Sequence, residues 1–299
     1  MQEAFDKYAP TLTASAARKA LEESGIAASA ITHMVSVTAT NSKCPGYDHL
    51  VAKELGGIPV SAERSLIAGS GCAGGLAALR VANNMACAST LHHRPARILV
   101  VACELSSLSL RAELEAASRS GKLRIGAALF SDGAAAVVLC NDLALAESEK
   151  IPRLFTVADW CQHVAPDTYN EVAVDTGSHG FLVYLSKHLP KHAAAAVHVP
   201  LQRLFTAGRK RLPPPETCDW ALHAGGAAII KGVQKSVGIP DDKLRATSEI
   251  YRTRGNTASV TVLAVLDKLR AMGPGTRDVV MCSFGPGLTV EMALLERHC

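Results

Sequence analysis

Aromatic side chains are scarce: Phe, Tyr and Trp make up 4% of the 299 residues. A core with so few large rings must close-pack many small aliphatic groups, and hydrophobic residues do reach 48%. Long apolar runs are missing as well. Stretches such as Ile98 to Cys103 fall far short of the roughly 20 residues that span a bilayer, so no membrane partner is expected. The opening MQEAFDKYAP lacks the apolar centre of a secretory signal. Neither sign of charge dominates. The net charge is +4, and the densest basic cluster is Arg209-Lys210-Arg211. Without a basic stripe interleaved with aromatics, a nucleic-acid partner is not expected. The nine cysteines form no Cys-x-x-Cys pair, and their number is odd. That pattern fits reduced thiols in a cytoplasmic setting, with no zinc or other metal site and no disulfide framework. No Gly-Lys-Ser/Thr occurs, so Gly74-Gly75 is not read as a phosphate loop.

What is present alternates strands and helices. Thr13–Ser24 reads as a helix stopped by Gly25, Ile31–Thr38 as a strand, Asp48–Leu55 as a helix and Arg64–Ala68 as a strand. A helix over Ala73–Cys87 follows, then the nearly all-apolar strand Arg97–Cys103, a helical turn at Glu113–Ser118, and a second buried strand, Ala134–Cys140. After Asn141-Asp142 come a strand, Leu154–Trp160, a loop from Pro166 to Gly180, and helices from Phe181 to about Phe205. Pro213-Pro214-Pro215 is a break. Beyond it lie strand Asp219–Leu222, helix Ala227–Val237, helix Asn256–Arg270 and strands Asp278–Ser283 and Leu288–Leu295. This order predicts an α/β fold with mainly parallel sheets.

The two halves resemble each other. LGGIPVSAERSLIAGSGCAGGLAAL at 55–79 can be laid beside SVGIPDDKLRATSEIYRTRGNTASVTVL at 236–263. Each holds Gly-Ile-Pro, a charged connection, a short strand and a glycine turn into a helix. The division is 1–142 and 143–299. Cys72 opens the helix in the first half and Asn256 in the second. The second half begins with a strand, Leu154–Trp160, that has no counterpart in the first, so the first strand of the N-terminal half is expected to be missing.

Cys72 sits where a strand stops and a helix starts, between Gly69, Gly71 and Gly74. The positive end of a helix favours a thiolate, and flanking glycines admit a close-lying substrate. That describes a nucleophile on a turn, although the stretch alone equally fits a buried cysteine at a helix start. His223 ends a strand in DWALHAGGAAII, beside Gly225 and Gly226, and Asn256 lies in RTRGNTASV. If the halves are related by a pseudo-twofold axis, all three converge on one crevice.

GCAGGLAALR, ALFSDGAAAVVL, WALHAGGAAI, RGNTAS and SFGPGLTVE together resemble the type III polyketide synthases, of the chalcone and stilbene synthase kind, within the thiolase superfamily. The match runs from about Thr11 to Leu295. It implies a thiolase-like fold of two duplicated halves in an α-β-α-β-α arrangement. It also implies an acyltransferase that condenses malonyl-CoA iteratively onto an acyl-CoA starter. In that reading Cys72 carries the starter as a thioester, and His223 and Asn256 hold the malonyl thioester carbonyl. His223 would also form an ion pair with the Cys72 thiolate. Phe130 would assist loss of CO2, and no cofactor is required. Single-round ketoacyl synthases share part of the motif set. An incomplete, inactive paralogue is the remaining alternative.

Pocket positions follow from the same resemblance. Ala39, Thr40, Ser106, Leu108, Ser109, Val183 and Ala258 would line an acyl cavity, and the small Ala39 and Ala258 would leave room for a bulky or long chain. Gly225, Gly226, Gly285, Pro286 and Gly287 would be loop scaffold. Cys44 would lie at a homodimer interface. The missing first strand would lie inside the sheet, and the segment Leu110 to Phe130 is longer than the pattern implies.

Overall fold

The computed structural model describes residues 2–122, 125–147, 151–177, 180–206 and 213–298; the Arg209-Lys210-Arg211 cluster lies outside them. In chain order, the first half has α1 (Gln2–Ser24), β1 (His33–Val37), α2 (Tyr47–Leu55), β2 (Glu63–Ile67), α3 (Gly74–Leu91), β3 (Arg97–Glu104), α4 (Leu110–Ser120), α5 (Gly126–Leu129), β4 (Gly133–Cys140) and α6 (Asp142–Ala146). The second half has β5 (Phe155–Val164), β6 (Val172–Gly177), β7 (Gly180–Leu185), α7 (Leu189–Ala196), α8 (His198–Thr206) and β8 (Asp219–Leu222). It ends with α9 (Ala227–Val237), α10 (Arg245–Arg254), α11 (Thr261–Ala271), β9 (Asp278–Gly285) and β10 (Thr289–Arg297).

Two four-stranded sheets form the frame. Strands β2-β1-β3-β4 build the first and β5-β10-β9-β8 the second. The first is parallel except for β4; the second is mostly antiparallel, with only β8 and β9 parallel. The expectation of mainly parallel sheets is therefore corrected for the second half, where the tight β9–β10 turn makes its strands antiparallel neighbours.

Alternation along the buried strands sets the layers. Met34, Leu99 and Val101 face an outer cluster with Phe5, Ala17 and Val51 of α1 and α2. Val35, Ile98 and Val100 face inward, towards α3 and α11. The second sheet closes the other side of those helices, with α8 lying on β5 and β10, and α10 against β8. The scarcity of aromatics has its reason in the central layer. Helix α3 presents Gly74, Gly75, Ala78, Ala82 and Ala86 as buried residues, so it approaches its neighbours closely. A Cβ on Gly75 would stand 2.1 Å from the Ser259 carbonyl oxygen.

Several expectations change. Helix α1 begins at Gln2, eleven residues before Thr13, and carries Pro10 inside it; buried Phe5, Ala9 and Pro10 hold that first stretch. The expected loop at 166–180 contains β6, and Phe181 lies on β7, because an aliphatic hairpin pairs Val174 with Val183. The short strand expected between the second Gly-Ile-Pro and its glycine turn is helix α10, and α11 starts only at Thr261. Strand β4 is not buried: all eight residues are partly exposed, because it ends the first sheet. Cys140, read as core, is therefore partly exposed, unlike Cys103 and Cys282. The strand read as interior to its sheet has its second-half counterpart, β5, at a sheet edge.

One buried carboxyl ties the halves together. Glu104, at the end of β3, is fully buried. The Ala39 N–H donates to both its oxygens at 3.0 Å, and the Thr40 hydroxyl donates at 3.0 Å. The Ser259 hydroxyl, from the second half, donates to it as well. Burial pushes this carboxyl from 4.5 up to about 7, against the pull of those donors. The folded state thus holds a proton that the unfolded chain has lost, from about pH 4.5 to about 7. Stability is expected to fall as pH rises through that window and to level off above it, by roughly 3 kcal/mol in all. In urea midpoints measured across this range, Glu104→Gln should flatten that component. An identical slope in the variant would overturn the assignment.

Candidate active site

Cys72 lies in a 3-10 turn, Gly71–Ala73, between β2 and α3. The loop after β9 clamps this turn from the second half. A Cβ on Gly71 would stand 2.6 Å from Pro286 Cδ, and one on Gly285 would stand 2.6 Å from the Ser70 carbonyl oxygen. Gly71 also has φ +47°, a region that favours glycine. The Ser283 hydroxyl donates to the Cys72 carbonyl oxygen at 2.6 Å. The geometry of the cysteine turn is thus set by residues more than 200 positions away.

Asn256 follows α10 and Gly255. Its backbone N–H donates to the Leu129 carbonyl at 3.0 Å, and its carbonyl accepts from the Ser131 N–H at 2.9 Å. These bonds pair Asn256 with Phe130 as an isolated parallel bridge between the halves. The side-chain orientation is fixed too. Oδ1 accepts from the Ala258 N–H at 2.8 Å and from the Thr261 hydroxyl at 3.2 Å. The amide nitrogen Nδ2 therefore points the other way, towards Cys72 Sγ at 4.0 Å. Ala258 adopts φ +47°, a strained value for alanine, where the chain turns from this asparagine into α11.

His223 directly follows β8, and its N–H donates to the Cys282 carbonyl at 2.8 Å. The ring is 2% exposed, and Nδ1 has no hydrogen-bond partner among the described residues. An orphaned buried N–H is rarer than an under-used acceptor, which puts the single ring proton on Nε2. Burial drives the imidazole down to about 3.

Cys72, His223, Asn256 and Phe130 line one cavity of about 330 Å³. Ala39, Thr40, Ser106, Ser109, Val183 and Ala258 line it too, as do Gly225 and Pro286. Gly226, Gly285 and Gly287 lie outside the lining, and Gly285 acts instead against the cysteine turn. Leu108 is a correction. It packs against the outer core cluster on the α1 and α2 side, because the 3-10 turn Ser106–Ser109 directs it away from the cavity. Cys44 is exposed and outside the cavity.

Burial also drives the Cys72 thiol up, to about 12, with the neighbouring Glu104 carboxyl adding to the rise. Contacts from Asn256 and the backbone lower it only in part. Burial thus disfavours each charge of the expected thiolate–imidazolium pair, and the contact found at Sγ is the asparagine amide. Glu104, Ser283 and Thr261 were not found by sequence reasoning. Their partners lie far along the chain or on the next helical turn, and only a buried acid at the end of a strand, Glu104, carried a signal.

Residues 2–143 match the model for the N-terminal domain of chalcone and stilbene synthases, and residues 156–298 match that for the C-terminal domain. The type III polyketide synthase pspB of Penicillium soppii is 40% identical, over 99% of this chain and 78% of that protein. The acylalkylpyrone synthase csyB of Aspergillus oryzae is 33% identical, over 98% of this chain and 76% of that protein. A solved type III pentaketide synthase from Neurospora crassa superposes with a TM-score of 0.93 at 40% identity, covering 99% of this chain and 80% of that one. CsyB complexed with CoA-SH superposes at 0.95 with 30% identity, covering 99% and 81%. On both halves and in three dimensions, this chain belongs to the chalcone and stilbene synthase family, the type III polyketide synthases.

Proposed function

We propose that Cys72 takes the starter acyl group from an acyl-CoA, and that His223 and Asn256 drive condensation with malonyl-CoA. The observation that carries this reading is the common cavity, in which a fixed asparagine amide and a neutral imidazole face the cysteine turn. In the loading step Sγ attacks the acyl-CoA carbonyl, the C–S bond to coenzyme A breaks, and the thiol proton passes to the departing coenzyme A thiolate. A malonyl thioester then loses CO2. The electron pair of the broken C–C bond becomes an enolate, whose oxygen accepts from Asn256 Nδ2 and His223 Nε2. The enolate carbon attacks the Cys72 thioester, a C–C bond forms, and Sγ leaves. Repetition builds the polyketide. The electrons come from the malonyl carboxylate, so this chemistry calls for no redox cofactor or metal.

Phe130 presents an apolar ring where the malonyl carboxylate would lie, which disfavours the charge that is lost with CO2. Its backbone pairing with Asn256 keeps ring and amide in register. The aliphatic wall, with Val172, Val174, Leu185 and Ile229, and the small Ala39 and Ala258 suit an aliphatic starter chain. The product is of the pyrone, resorcinol or chalcone type. The relatives, a pentaketide synthase and an acylalkylpyrone synthase, favour the first two.

A homodimer is part of the proposal. Strand β2 ends the first sheet, with Glu63, Arg64 and Leu66 exposed, and such an edge invites pairing. The loop carrying exposed Cys44 lies against it, where Gly46 leaves the room taken by Leu66. The cytoplasm is the proposed location, a reducing setting for the eight free cysteines of the described residues; among those residues no helix is long and apolar enough to cross a membrane.

Three measurements check this reading. In intact-protein mass spectra after incubation with acyl-CoAs, the wild type should gain one acyl group and Cys72→Ala none. No adduct on soluble wild type would sink the nucleophile assignment. Alkylation of Cys72 by iodoacetamide should speed up with pH to beyond about 9, as a buried thiol does, whereas a plateau below about pH 8 would mark a stabilised thiolate. Sedimentation at micromolar concentration should report two copies; a monomer there would overturn the dimer.

A further inference from the structure

Strand β9 ends against both reacting residues. The Cys282 carbonyl accepts the His223 N–H at 2.8 Å, and at the next residue the Ser283 hydroxyl donates to the Cys72 carbonyl oxygen at 2.6 Å. Successive residues of one buried strand therefore set the histidine and the cysteine relative to each other. Ser283 is fully buried, where a hydroxyl is costly unless it is bonded. The condensation steps above make no use of it.

The peptide that joins Cys72 to Ala73 is pinned at both ends. Its carbonyl oxygen takes the Ser283 proton, and its N–H, that of Ala73, donates to the Ser70 carbonyl at 3.1 Å. The preceding peptide, between Gly71 and Cys72, is left for the cavity. Both residues line it, and among the described residues the Cys72 N–H has no oxygen to donate to. Such a group is an orphan donor of a helix start, here in the turn that runs into α3. Burial raises the Cys72 thiol, and among the weaker opposing pulls is the residue's own N–H, so that donor lies beside Sγ.

Attack of Sγ on a thioester carbonyl moves the C=O π pair onto oxygen, and this charge forms next to the sulfur. Collapse returns the pair and expels the coenzyme A thiolate. We infer that Ser283 is a positioning residue for this step: by holding the Cys72 carbonyl it fixes the orientation of the cysteine, so that the Cys72 N–H meets the oxyanion. This rests on the loading reading above. A donor helps most when it is in place before the charge appears. Ser283 acts through the cysteine and does not touch the substrate.

The test sets two reactions of one sulfur side by side. Transfer from an acyl-CoA passes through an oxyanion, whereas alkylation by iodoacetamide displaces iodide and forms none. Both rates are read by mass on the Cys72 peptide in wild type, Ser283→Ala and Ser283→Cys, the last nearly isosteric but a weak donor. In both variants acylation should fall at least about tenfold, less than the roughly 100-fold or more of deleting an oxyanion donor outright, while alkylation stays close to the wild-type rate. Both reactions draw on the thiolate, so the ratio of acylation to alkylation should fall equally at about pH 7 and about pH 9. Equal losses in the two reactions would mean that Ser283 only braces the thiol, and a ratio that recovers at high pH would mean a shifted thiol pKa; either overturns the inference. Alkylation faster than wild type in Ser283→Ala would report an opened turn, and Ser283→Cys then decides. Wild type that is alkylated but accepts no acyl group sinks the loading reading and the inference with it. Wild type that loads, beside variants that load as fast, sinks the inference alone.

Discussion

The architecture of the site depends on Glu104. Its carboxyl collects donors from the end of β1, through Thr38, Ala39 and Thr40, and from Ser259 in the other half. Ala39, Thr40 and Ala258, the residue before Ser259, are cavity wall. A buried acid with several donors is stable only when all of them are in place, so the walls come together as a unit. The same group lies close enough to Cys72 to add to the cost of a thiolate. Structure and reactivity are thus coupled through one residue.

A second interlock works by close approach. Gly71 and Gly285 leave no room for a Cβ between the cysteine turn and the Pro286 loop, and Gly75 leaves none against Ser259. Where side chains are absent, backbones meet, and a backbone holds position better than a rotatable side chain. The two donors proposed for the enolate are likewise prepared in advance. The Asn256 amide is turned by Ala258 and Thr261, and His223 is kept neutral by burial. Donors held in place before reaction concentrate their electrostatic effect on the charge that appears during it.

Legibility followed punctuation and periodicity. Gly25 and Gly56 ended their helices where the sequence placed the stops, and the apolar run at Arg97–Cys103 became the doubly covered β3. The FLVYL stretch, read as helix, is a strand, and the short strand expected before the second glycine turn is helix α10, because short mixed runs carry no decisive period. Strand β4 looked buried because GAAAVVLC is apolar throughout, yet its position at the edge of the sheet leaves it half open. Leu108 looked like pocket and is core; Glu113, read only as the start of a helical turn, lines the pocket.

By itself, the sequence determined the kind of chemistry: a cysteine at a glycine turn, a histidine ending a strand, an asparagine opening the equivalent turn of a second half, and too few aromatics for anything but closely layered aliphatic helices and sheets. These are local facts, written in residue type and spacing. Tertiary structure alone decided which way the asparagine amide points, that burial disfavours charge on the thiol and the imidazole, and that an acid on α4 faces the cavity. The reason is physical. Hydrogen-bond direction, burial and the loss of solvent are set by neighbours distant in the chain, and no spacing along a sequence encodes them.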